Sequence, residues 1–163
     1  MTLRADPQPS DEETLILGRF LLAVNALDAA MENAIVRFWK VPDQRFRRVF
    51  VDGKTTGSTL GLLRKSPYRE PWFKADCDLI QSIVEHRNAV AHKPPRQDFV
   101  TPEVDPHTTE DDYWEKRDAS EFMLYDVGKR EVRITDIDEM TVTVREVTAR
   151  IRRLRDRDTP GTL

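Results

Sequence analysis

One cysteine among 163 residues, Cys77, excludes an internal disulfide and a cysteine-based zinc site, and it fits a reducing cytoplasm. Histidine is nearly as scarce. His86, His92 and His107 show no ligand-type repeat, so no metal site is expected. The six glycines form no phosphate-cradling loop, and nothing else points to a cofactor. Positive charge is not in excess either. With 26 Lys and Arg against 29 Asp and Glu, the formal net charge is −3, which excludes a generic nucleic-acid coat and makes any phosphate contact local. The stretch Met1-Thr2-Leu3-Arg4-Ala5-Asp6-Pro7 has no apolar signal core, and no run reads as the roughly 20 apolar residues of a membrane span. A cytoplasmic protein without membrane contact is expected. Internal repeats and low-complexity tracts are also missing.

What is present is helical periodicity. The length suits one domain with a real core. Residues 1–10, with Pro7 and Pro9, read as a flexible arm ending at Ser10 or Asp11, either able to cap the next helix. Ile16, Phe20, Val24, Leu27, Met31, Ile35 and Phe38 step by fours and threes, predicting a long helix from about Glu12 to Lys40 that Pro42 closes. Residues 41–56 read as a connector with a basic cluster, Arg45, Arg47 and Arg48, and a turn at Asp52-Gly53. Thr56 or Ser58 starts a short second helix through Lys65. Pro67 and Pro71 frame the third helix, Pro71 being tolerated in a first turn. Residues from about 94 to 120 read as an acidic surface loop without secondary structure. Residues 122–125 and 131–135, flanking Val127-Gly128-Lys129, predict a β-hairpin. Asp136 and Glu139 suggest a capping box for the last helix, whose stripe is Met140, Val144, Val147, Ile151 and Leu154. Its arginines, including Arg145, Arg150, Arg152, Arg155 and Arg157, read first as a solvated face. The expected fold is an all-α bundle of about four main helices with a small β-hairpin inserted before the last. It spans residues 11–158 as one domain, with a flexible tail over 159–163.

The most informative segment is Glu85-His86-Arg87-Asn88-Ala89-Val90-Ala91-His92, stopped by Lys93-Pro94-Pro95 at the end of the third helix. Arg87 and His92 lie about 140° apart around an ideal helix, whereas Asn88 and His92 share a face. Asn88 is therefore expected to hold the imidazole while Arg87 reaches from one side. His86 projects away from Arg87 and is secondary.

Arg-Asn-x-x-x-His on a late helix resembles the R-x(4–6)-H motif of the HEPN superfamily. Gly18-Arg19-Phe20 in the long first helix and Gly57-Ser58-Thr59-Leu60-Gly61-Leu62-Leu63 look like the early helices of that family. The resemblance covers roughly residues 14–93 and, more weakly, the last helix. Many HEPN proteins are metal-independent RNases of toxin and antiphage systems that act as dimers, and others bind without cutting. The resemblance thus implies Arg87 and His92 as catalytic residues, with Asn88 beside them, and RNA as substrate. It also implies a homodimer and a possible cognate antitoxin or defence-system partner. One departure matters: Pro94 stands where nucleotidyltransferase-regulated HEPN toxins often carry a tyrosine, so regulation at that position is not expected.

The residues allow this chemistry on their own terms. Metal-free cleavage of RNA needs a base for the 2′-hydroxyl, an acid for the leaving oxygen and a cation on the non-bridging oxygens. One imidazole cannot be base and acid at the same instant, so two protomers would share a cleft. The helix C-terminus favours imidazolium, and a guanidinium offers phosphate a planar fork of donors. Lys93 and Arg96 could extend the positive cleft as substrate-binding residues, or simply be loop surface. Asp28 and Glu32 could orient Arg87 or face water, and water is the expectation. Alternatively, His92 is only a helix-end cap and Arg87 pairs with the acidic loop. Three functions follow: a dimeric endoribonuclease, a non-catalytic HEPN module binding RNA, a nucleotide or a partner protein, and a plain structural bundle.

Overall fold

A computed structural model describes residues 8–40, 43–66, 68, 70–118 and 121–154. The element order is α1 (Asp11–Phe38), α2 (Gln44–Phe50), α3 (Thr56–Arg64), α4 (Phe73–His92), β1 (Arg96–Phe99), α5 (Glu110–Asp118), β2 (Glu121–Val127), β3 (Arg130–Arg133) and α6 (Asp136–Arg152). The molecule is mostly helical, with a small antiparallel sheet in the order β1-β2-β3. The arm before residue 8, Pro42, Pro67, Arg155, Arg157 and the tail lie outside the described residues.

α1 begins where its sequence places it. The Glu13 amide donates to Ser10 Oγ at 3.1 Å and the Ser10 amide donates to Glu13 Oε2 at 2.8 Å, so two orphan donors are satisfied reciprocally. Its inner face, including Phe20, Leu27, Met31 and Ile35, is buried. α1 is the spine of the core, packed chiefly on α6 and also on α3 and α4. It also corrects an expectation: by length and composition it could cross a membrane, with an 18-residue window of mean hydropathy 1.5, of which 39% is buried in the fold. α1 is apolar on more sides than the bundle covers.

Three other expectations are corrected. The connector over 41–56 contains α2, whose N-cap Asp43 accepts from the Arg45 and Phe46 amides at 2.8 and 3.0 Å. α3 starts at Thr56, one of the two expected starts, and is capped by Thr55, which accepts from the Ser58 amide at 3.3 Å. The acidic stretch over 94–120 is not a bare loop. Arg96–Phe99 pairs with β2 in the register Arg96↔Leu124 to Phe99↔Glu121, so the hairpin is part of a three-stranded sheet. α5 follows from Thr109, which accepts the Asp112 amide at 3.1 Å. The cation over two rings, Arg117 at 4.1 Å from Phe99 and 5.0 Å from Trp114, ties α5 to β1. Finally, Asp136 is the first helical residue of α6 and not its cap; Thr135 is the N-cap and makes no side-chain cap bond.

The expected turn at residues 127–129 forms. Val127 pairs with Arg130, and Gly128 takes φ 62°, which a two-residue hairpin requires and L side chains resist. A lone hairpin would be marginal in water, and a third strand with packing on a helix makes it stable. β2 supplies that contact by packing on α4, with Met123 and Tyr125 joining the helical core, and β3 leads into α6.

Candidate functional site

α4 delivers the motif. Its N-terminal turn is fixed to α6 by Asp76, which accepts from Arg150 Nε at 2.7 Å and Nη2 at 2.9 Å. Its apolar face, Phe73, Cys77, Ile80, Ile83, Val84 and Ala89, is buried. The helix stops because Lys93 must be extended before Pro94, with φ −117° and ψ 137°. α4 packs on β2, and its last two residues, Ala91 and His92, are exposed.

Arg87 is half-buried and donates from Nη1 to Asn88 Oδ1 at 3.2 Å. Asn88 thus steadies the guanidinium rather than the imidazole. Asp28 of α1 is half-buried and feels the Arg87 charge, rather than facing open water as expected. Burial lifts its carboxyl above the ordinary carboxylate range, opposed by the Thr56 hydroxyl, which donates to Oδ2 at 2.9 Å, and by the Arg87 charge. Its other oxygen, Oδ1, is buried with no hydrogen-bond partner among the described residues. Glu32, one turn on, is also raised, first by burial and then by the Asp52 and Asp28 charges; Arg47 of α2 opposes this from 4.0 Å. The polar cluster therefore joins α1, α2, α3 and α4. Thr56 and Arg47 belong to this cluster although neither is a candidate site residue by sequence. Arg47 was visible in its basic cluster, but nothing local said which carboxylate it meets.

His92, the last residue of α4, is exposed and has no hydrogen bond or ion pair with a described residue. His86 is buried, its Nδ1 2.7 Å from the Ser82 carbonyl oxygen, and so is not available to a substrate. The two proposed substrate-binding cations are engaged elsewhere. Lys93 Nζ donates to the Asp126 carbonyl at 3.1 Å. Arg96 forks onto Asp126 at 2.9 and 3.1 Å and reaches Glu131 at 2.7 Å. That pairing pulls the Asp126 carboxyl below the usual carboxylate range. A phosphate arriving at Arg96 must displace two carboxylates, so Arg96 reads as a brace across the sheet. His107 sits before α5, where its amide donates to Asp105 Oδ1 at 2.8 Å.

Chemically, one helix end presents a positioned guanidinium and a free imidazole, with one imidazole per chain. Among the described residues no three His, Cys, Asp or Glu side chains converge as a metal-binding group. Compared with known proteins, the chain matches no family model, no curated protein and no solved structure.

Proposed function

We propose that the protein is a metal-independent endoribonuclease of the HEPN type, from a toxin or defence system, in which Arg87 and His92 of two protomers form one RNA-cleaving site. The observation that carries this reading is the contrast on one helix end. Arg87 donates to Asn88 and lies within range of the charge of the half-buried Asp28, whereas His92 is exposed and unengaged. A group that clamps phosphate should be preorganised, and a group that moves protons should be accessible.

In the reaction, one imidazole takes the proton of the 2′-hydroxyl as that oxygen attacks phosphorus. The imidazolium of the second protomer protonates the departing 5′-oxygen as its bond to phosphorus breaks. Arg87 binds the non-bridging oxygens through its fork of donors. The dimer would place the two α4 ends about a two-fold axis. α2 offers apolar surface for such a contact beside the Glu32 and Arg47 pair, since Phe46 is 50% and Val49 is 71% exposed.

A second reading, a non-catalytic module that binds RNA, a nucleotide or a partner protein, is favoured by the pairing of Arg96 with Asp126 and Glu131, which takes one of the two cations after His92 out of the reach of a phosphate. Purified protein incubated with total RNA in EDTA separates the two. Endonucleolytic cleavage is expected, lost by about 10²–10⁴-fold in both Arg87→Ala and His92→Ala. Both variants should keep the wild-type circular dichroism and the molar mass of a dimer by light scattering. RNA binding without cleavage would move the assignment to the second reading. Cleavage unchanged in His92→Ala would remove the proposed site.

A further inference from the structure

Among the described residues, Arg47, Arg64, Arg96 and Arg150 meet carboxylates. Between α1 and α6 runs an open groove of about 330 Å³ whose rim carries Arg19, Arg145 and Arg152 and whose wall includes Leu22, Ala23 and Ala26. All three arginines are exposed, and none has a hydrogen bond or ion pair with a described residue. In a chain of net charge −3, three unneutralised guanidinium groups on one groove are a local concentration of positive charge.

Exposed apolar side chains flank the groove at helical spacing from its lining residues. Leu15 and Leu22, seven residues apart on one face of α1, are 52% and 69% exposed, and Val142 of α6 is 54% exposed. This is the side of α1 that the bundle leaves uncovered. It is separate from the Arg87 site, because Arg19 lies about 180° around α1 from Asp28.

Shape, apolarity and charge select the occupant. A concave furrow between two helices receives the ridge of a third helix, whereas a bilayer presents a flat surface. Single-stranded RNA would want aromatic platforms for its bases, and none of the residues lining the groove is aromatic. A second copy docking the same face about a two-fold axis would bring six like-charged arginines together. We infer that the α1/α6 groove is the docking site for an acidic amphipathic helix of a partner protein. Leucine-type residues of that helix would meet Leu15, Leu22 and Val142, and its carboxylates would meet Arg19, Arg145 and Arg152. This does not depend on the RNase reading, because it uses none of the motif residues.

The test uses the full chain and two synthetic 18-residue helical peptides, with Leu at every third and fourth position and the remaining positions either Glu or Lys. Fluorescence anisotropy should show micromolar binding of the Glu peptide, weakening with salt, and at least about ten-fold weaker binding of the Lys peptide. The triple variant Arg19→Glu, Arg145→Glu, Arg152→Glu should reverse that preference. The neutral triple Arg→Gln variant covers the case in which charge reversal perturbs the fold, and it should lose the Glu peptide without gaining the Lys peptide. Equal binding of both peptides, or of neither, overturns the proposal. So does sedimentation of the protein with phosphatidylserine vesicles but not with phosphatidylcholine vesicles, if arginine replacement abolishes it. Self-association abolished by the same replacements would assign the groove to a second copy instead.

Discussion

The bond between Asp76 and Arg150 should respond asymmetrically to truncation, because its partners differ in exposure. The Asp76 side chain is 6% exposed and that of Arg150 is 36% exposed, and the guanidinium makes two bonds, 2.7 and 2.9 Å, across the interface of α4 with α6. Arg150→Ala leaves a buried carboxylate without its counter-charge, a change that typically costs about 3–5 kcal/mol. Asp76→Ala leaves an arginine that can turn to water and that still feels the Glu146 charge. Its loss is two charge-assisted bonds offset by rehydration, plus an acidic residue near the start of α4, together about 1–2 kcal/mol. The expected gap is about 2 kcal/mol. With a urea m-value of about 2 kcal/mol/M, it separates the two unfolding midpoints by about 1 M. Circular dichroism at 222 nm measures the midpoints, with m unchanged as the check on two-state behaviour. The double change Asp76→Leu, Arg150→Met should return close to wild type, since a packed apolar pair avoids the desolvation of both charges. If Asp76→Ala costs as much as Arg150→Ala, the argument from unequal burial is wrong.

Asp28 predicts a pH effect of definite sign. Because burial raises its folded carboxyl above 3.8, the folded state holds that proton more tightly than the unfolded chain, so its contribution to stability is present in acid and lost as pH rises through the folded value. Asp28→Asn should therefore gain stability relative to wild type on going from about pH 4 to about pH 7; a relative loss by urea titration would contradict the burial argument. Cys77 is 3% exposed, and burial pushes its thiol up to about 11, so a disulfide reagent at pH 8 should leave it unmodified in the native protein and label it rapidly in urea. Fast labelling of the native state would show that α4 opens locally. For the proposed site, RNA cleavage should continue in EDTA, and loss of activity restored by a divalent ion would reject the two-imidazole reaction.

The three long helices were legible in the sequence because an α-helix is made of contacts between residues three and four apart, so its apolar stripe and caps are written locally. Ser10 with Glu13, the stripe from Ile16 to Phe38, the stop at Pro94 and the turn at Gly128 are all of this kind. The candidate pair Arg87 and His92 was visible for the same reason, as spacing on one helix. α2 and α5 were less visible, being seven and nine residues long. α5 lacks an apolar stripe, although the Thr109 and Asp112 pair that caps it was present to be read. β1 could not be read from its own four residues, since its strand identity comes from pairing with β2, more than 20 residues away. Tertiary structure alone decided the electrostatics of the site. Asp28 accepts from Thr56 and feels the Arg87 charge rather than facing water, and Arg96 is claimed by Asp126 and Glu131, 30 and 35 residues distant. It also decided which arginines stay free, because a charge is neutralised by whatever the fold brings within reach and not by its neighbours in the chain. The arginines of α6 look alike in the sequence, yet Arg150 is locked to Asp76 while Arg145 and Arg152 stand unpaired over the groove with α1.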